Sequence, residues 1–128
     1  MAIEPFKRCS DISQSLEFYT RILDFVVVHA PDTDPTAFMS KYSLIERDGC
    51  LVHLSSHSGD GVFGNVLYVR VDDVDTLYHR FVANGLNTDE RDRYPSLRIQ
   101  PVEQTWGMKE FSIADPDGNK ITFGHQIR

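Results

Sequence analysis

Five histidines, two cysteines, one tryptophan and 19 acidic residues hold most of the chemistry open to this 128-residue chain. There is no G-x-x-x-x-G-K-[ST] phosphate loop and no G-x-S-x-G nucleophile elbow, so nucleotide hydrolysis and serine-hydrolase chemistry lack their usual frames. Ser55, Ser56 and Ser58 crowd His57, yet nothing in the spacing sets a carboxylate behind the imidazole as a triad requires. Cys9 and Cys50 read as small buried hydrophobes of a reducing compartment. Trp106, in a loop-like stretch beside Gly107, is the strongest recognition candidate. An indole there either lids the core or offers a face on which a flat ligand stacks. Phe38 and Tyr42 belong to the long connection that starts near Asp32. Asp32 and Asp34 within it either attract a cation or solvate a turn around Pro31 and Pro35.

The charge balance narrows the partners. Thirteen Lys and Arg stand against 19 Asp and Glu, a net charge of −6. A nucleic-acid surface needs a basic patch, so this balance argues against nucleic acid and leaves room for a cationic ligand. Apolar residues make up 41% and charged residues 25%, the mix of one globular domain that buries a core without disulfides. No apolar run approaches the roughly 20 residues of a membrane span. The opening MAIEPFKRC lacks the apolar stretch of a secretory signal. The expectation is a cytoplasmic protein with no membrane contact.

The elements that must position these groups come in two sets. Asp11 is a helix N-cap with Gln14 three residues on, and Ile12, Leu16, Tyr19, Ile22 and Leu23 follow a helical period. Asp24 closes that stretch, and Phe25 to Val28 reads as a strand. The pattern returns 62 residues later, where Asp73 matches Asp11. Val74, Leu77, Tyr78, Phe81 and Val82 make the second apolar stripe, and Gly85 sits where a left-handed C-cap residue belongs. Short strands are expected before each helix, near 3–9 and 65–71. A hairpin of 42–47 with 50–56 turns at Asp48-Gly49. Another, 108–114 with 119–125, turns at Asp115-Pro116-Asp117-Gly118-Asn119. Residues 86–106, with Pro95 and Pro101, read as one irregular strand and a long loop.

This order resembles the vicinal oxygen chelate superfamily, the glyoxalase and bleomycin-resistance proteins. The resemblance rests on Asp11, Ser15, Phe18-Tyr19 and Leu23-Asp24-Phe25 in the first half. In the second half it rests on Val71-Asp72-Asp73-Val74, Glu110-Phe111 and Asp115 to Asn119. Asp24 stands where that family usually carries glycine. Glu103-Gln104-Thr105-Trp106-Gly107 and Pro5 are similar to the drug-binding bleomycin-resistance branch. The resemblance implies an α+β fold of tandem βαβββ modules, about 1–58 and 64–128, in a single domain covering 1–128. The mixed sheet would curl around a cleft. Two chains would pair as a homodimer, with ligands in crevices at the interface.

Metalloenzymes of the superfamily draw one ligand from the first and fourth strand of each module. The matching positions here are Glu4, His53, Val66 and Thr122. Only Glu4 and His53 carry good donors, where a divalent catalytic ion wants three or more. No metal and no cofactor is therefore expected. Strand alternation puts Glu4, Phe6, Arg8, His53, Ser55, Tyr68, Arg70, Glu110, Ser112 and Thr122 on one polar face of mixed charge, which the resemblance would curl into the cleft. The resemblance implies a metal-free protein that confers resistance by sequestering a bleomycin-like or other flat cationic molecule; the residues themselves supply an aromatic, partly acidic crevice. Trp106, Phe38, Tyr68, His53, Glu110 and Ser112 are the ligand-binding candidates. The rival is a metal-dependent glyoxalase-like lyase or isomerase, or a ring-cleaving dioxygenase, built on Glu4 and His53.

Overall fold

The computed structural model describes residues 1–89, 97 and 99–128. The chain divides into two compact units, Met1–Phe63 and Gly64–Arg128. In the first, β1 (Phe6–Arg8) leads to α1 (Ile12–Glu17), then β2 (Val26–His29), β3 (Tyr42–Arg47) and β4 (Cys50–Ser55). In the second, β5 (Val66–Arg70) leads to α2 (Val74–Ala83), then β6 (Val102–Glu103), β7 (Met108–Ala114) and β8 (Lys120–Gln126). Each unit holds one four-stranded mixed sheet, ordered β1-β4-β3-β2 and β5-β8-β7-β6. In each the first strand lies parallel to the last while the hairpin strands run antiparallel. The tandem α+β architecture read from the 62-residue offset is thus observed.

Local chemistry explains the element boundaries. The Asp11 carboxylate accepts from Ser13 N at 3.0 Å and Gln14 N at 3.1 Å, and Asp73 does the same for Asp75 and Thr76. Each cap satisfies amides that a helix start leaves orphaned. Helix α1 runs on into a wider turn over Phe18–Ile22, closed by Leu23 N to Phe18 O at 3.4 Å. Asp24 then takes φ +59°, a left-handed turn that Asp tolerates better than most residues. Asp48 and Gly49, at φ +52° and +79°, make the two-residue reversal that pairs Arg47 with Cys50. Gly85, at φ +103°, ends α2, with Leu86 N returning to Phe81 O at 2.9 Å.

The cores lie between each helix and its sheet. In the first unit Tyr19, Ile22 and Leu23 are buried with Ile45, Val52 and Leu54. In the second, Phe81 of α2 meets Phe111 and Phe123, ring centroids 5.1–6.1 Å apart. Burying each such ring contributes about 1.5–3 kcal/mol. A polar knot ties the last hairpin to the start of β5. Asn119, wholly buried, accepts from Gly64 N at 2.8 Å and Asn65 N at 3.2 Å, and donates through Nδ2 to Asp115 Oδ2 at 2.8 Å.

Three expectations need correction. Strand β1 is only Phe6–Arg8, shorter than 3–9. Of the irregular strand expected within 86–106, the described residues show the two-residue β6 at Val102–Glu103; residues 90–96 and 98 lie outside the description. Cys9 is buried as expected, but Cys50 is exposed. It is the first residue after the hairpin reversal, at the end of the sheet. Among the described residues, no helix is long and apolar enough to cross a membrane.

Candidate ligand-binding surfaces

On the face of the second sheet turned from α2, the β7–β8 ladder sets Glu110 against Gly124 and Ser112 against Thr122. The parallel neighbour β5 sets Tyr68 against Thr122 and Arg70 against Gly124. Gly124 lacks the side chain that would stand in the way of Tyr68. A Cβ there would lie 2.8 Å from Tyr68 Cζ and 3.2 Å from Glu110 Cγ. The phenol uses that space, and its hydroxyl donates to Glu110 Oε2 at 2.6 Å. Trp106 sits on the reversal ahead of β7, where Gly107 has φ +85°. Its indole N–H donates to the same Oε2 at 3.3 Å. Glu110 is 7% exposed and Trp106 is 64% exposed. The arrangement is a buried carboxylate gripped by a phenol and an indole whose face stays open. Of the two roles open to Trp106, a lid over the core is inconsistent with that exposure.

Burial raises the Tyr68 pKa to about 12, reinforced by the hydrogen bond and charge of Glu110 and opposed by Arg70. The folded state thus holds this proton above the ordinary tyrosine value of about 10. Tyr68 adds stability that is full below pH about 10 and is lost as pH rises toward about 12. Phenolate absorbance should show a late component near pH 12, absent from Tyr68→Phe.

The first unit carries a different polar array. Phe6 faces His53 across β1 and β4, and the two rings stack at 4.3 Å and 4°. His53 Nδ1 meets the Tyr42 hydroxyl at 2.6 Å, and Nε2 meets Glu4 Oε1 at 2.7 Å. An ionised carboxylate only accepts, so Nε2 donates to Glu4; in the neutral imidazole Nδ1 then accepts from the Tyr42 hydroxyl. Burial, helped by the Glu4 charge, raises the Tyr42 pKa and keeps that phenol protonated. Phe38 does not join this array. It is 74% exposed and stacks on His57 at 4.0 Å and 15°.

The four residues weighed above as metal ligands, Glu4, His53, Val66 and Thr122, do not have the donors a divalent ion needs. Glu4 and His53 meet, but they bond to each other, and Tyr42 takes the remaining imidazole nitrogen. Val66 offers no donor and Thr122 only a neutral hydroxyl. Among the described residues no group of three or more His, Cys, Asp or Glu is placed to hold a metal.

Of the six ligand-site candidates, Trp106, Tyr68 and Glu110 form one bonded cluster, with Ser112 buried next along the same face of β7. His53 and Phe38 belong to the first unit and have separate partners. Alternation gave the side each strand residue faces but not its depth: Ser55, Ser112 and Thr122, on the polar face, are buried rather than solvated. Ser55 there donates to Asp60 Oδ2 at 2.7 Å. Two spacings also take their meaning from context. His53 and His57 stand four residues apart, but on a strand and the loop beyond it rather than on one helix. Gly59-Asp60-Gly61-Val62-Phe63-Gly64 has the G-x-G-x-x-G form, yet β5 follows it instead of a helix whose N-terminus would hold a phosphate. His125 has a role that sequence reading missed: its Nδ1 accepts from Val74 N at 2.9 Å and helps cap α2.

Residues 5–123 match the Glyoxalase/Bleomycin resistance protein/Dioxygenase superfamily, and the chain belongs to it. The bleomycin resistance protein of Geobacillus stearothermophilus is 24% identical over 136 residues, covering 92% of this chain and 91% of the relative. Among solved structures, a bleomycin resistance determinant encoded on transposon Tn5 superposes with TM-score 0.75 at 21% identity, covering 98% of both chains. A bleomycin-binding protein complexed with bleomycin superposes with TM-score 0.74 at 20% identity, also over 98% of both.

Proposed function

We propose that this chain is a metal-free binding protein that confers resistance by sequestering a bleomycin-type drug in a crevice completed by a homodimer. The observation that carries the reading is the open indole of Trp106, fixed at its edge by the buried Glu110 carboxylate. A flat ring stacked on an indole gains about 1–3 kcal/mol, by analogy with bases on aromatic side chains. Tyr68 and Ser112 line the same face of the second sheet. The net charge of −6 favours a cationic ligand through attraction that salt weakens. Relatives known as bleomycin resistance proteins and the bleomycin-complexed neighbour support the choice of drug. The rival metalloenzyme would need ligands beyond Glu4 and His53, which already satisfy one another.

Bleomycin titrated into chelator-treated protein should change indole emission saturably, since Trp106 is the one tryptophan. By calorimetry, Trp106→Ala should weaken binding ten-fold or more, about 1.4 kcal/mol, and keep its fold. Sedimentation of the same samples should give about twice the 14.6 kDa chain mass. A silent titration rejects the drug; a clean monomer that still binds rejects the interface crevice alone.

A further inference from the structure

Glu110 is 7% exposed, and it meets no basic side chain within ion-pair distance among the described residues. Arg70, its neighbour across Gly124 in the register, makes no ion pair with it. A buried carboxylate without a cation is costly, and proteins ordinarily pair such groups. The two bonds it does receive, from Tyr68 and Trp106, both fall on Oε2. No protein donor among the described residues reaches Oε1, and Oε1 is not among the atoms sealed from solvent. Oε2 thus takes both bonds, and Oε1 takes none from a described residue.

We propose that the missing cation comes with the ligand: Glu110 Oε1 is a one-point anchor for an N–H-bearing cation attached to the ring that stacks on Trp106. Because Oε2 is occupied, the carboxylate does not offer the two free oxygens that a guanidinium fork requires. A single charged N–H of an ammonium suits it. A cation without N–H gains only long-range attraction and leaves Oε1 unbonded. The inference rests on the binding reading above and adds the chemical group that site selects.

Two probe pairs test it by calorimetry. One pair is bleomycin with a primary-amine tail against its dimethylsulfonium-tailed congener. The other is 2-phenylthiazol-4-yl-methylamine against the corresponding alcohol, which needs no drug to be the natural ligand. The wild-type protein should bind the amine member of each pair ten-fold or more tighter, and Glu110→Gln should bring both ratios close to one. Equal affinities within both pairs in the wild type, or ratios that survive Glu110→Gln, overturn the anchor. If the drugs bind without preference, the anchor falls and the binding reading stands. If only the thiazole pair binds, with the amine preferred, the anchor stands and bleomycin falls. Should nothing bind, both fall. If Glu110→Gln does not fold, the wild-type ratios alone decide.

Discussion

Asn119→Ala should lower the unfolding free energy by about 3 kcal/mol, because each buried group left without its partner costs roughly 1–3 kcal/mol. Its amide oxygen is the shared acceptor for Gly64 N and Asn65 N, and its Nδ2 occupies Asp115 Oδ2. Alanine removes all three bonds and supplies no substitute. The urea midpoint should fall with an unchanged m-value, the mark of lost stability rather than an altered denatured state. Asn119→Asp separates the parts of the knot. It keeps an acceptor for the two backbone amides but turns a donor into a carboxylate facing Asp115. That variant sets a second carboxyl against Asp115, and like charges that close oppose one another, so it should be less stable than wild type at neutral pH while still holding the two backbone amides. A cost below about 1 kcal/mol for Asn119→Ala would mean that water replaces the amide oxygen without penalty.

Gly124→Ala should damage both stability and binding, through one contact. Gly124 is not in the left-handed region, so alanine suits its backbone, and the effect is steric alone. The new methyl would lie within the space of the Tyr68 hydroxyl and ring end. Overpacking of this kind costs about 1–3 kcal/mol. More telling is the loss of the Tyr68–Glu110 bond, which should release Glu110 and the indole edge it holds. We expect affinity for a ligand stacked on Trp106 to fall by ten-fold or more. Combining Gly124→Ala with Tyr68→Phe should cost less than the sum of the two, since the second change removes the clashing oxygen. Simple additivity of the pair would show that the phenol moves aside without consequence.

These two residues also show what a sequence discloses. Asn119 was legible as part of a turn because its signal is local: Asp, Pro, Gly and Asn within five positions have one common use. The caps at Asp11 and Asp73 and the reversal at Asp48-Gly49 were legible for the same reason. Gly124 was not. Its importance comes from Tyr68, 56 residues away in the chain and adjacent only through the β5–β8 register. The cap that His125 gives to Val74 spans 51 residues and left no local trace. Trp106 and Glu110 were both ligand-site candidates by type and setting, yet nothing in the sequence joined the indole to that acid. That both Tyr68 and Trp106 converge on one carboxylate oxygen depends on side-chain reach, which alternation does not encode. Phe38 was grouped with the other aromatics by residue type, and its stacking on His57 followed from the path of a long connection that carries no periodic signal.

The matching registers of the two sheets let one ladder carry two chemistries. Phe6 stands opposite His53 as Tyr68 stands opposite Thr122; Arg8 and Tyr42 stand opposite Ser55 as Arg70 and Glu110 stand opposite Gly124. One plan of helix, caps and core thus carries two different surfaces, each on its own sheet. On the first, the last strand bears an imidazole bonded at both ring nitrogens. On the second, the last strand bears a glycine, and the place its side chain would take is used by the hydroxyl of a phenol bonded to a buried acid. The shared ladder sets where a side chain stands, and the choice of residue at each rung sets what that face can hold.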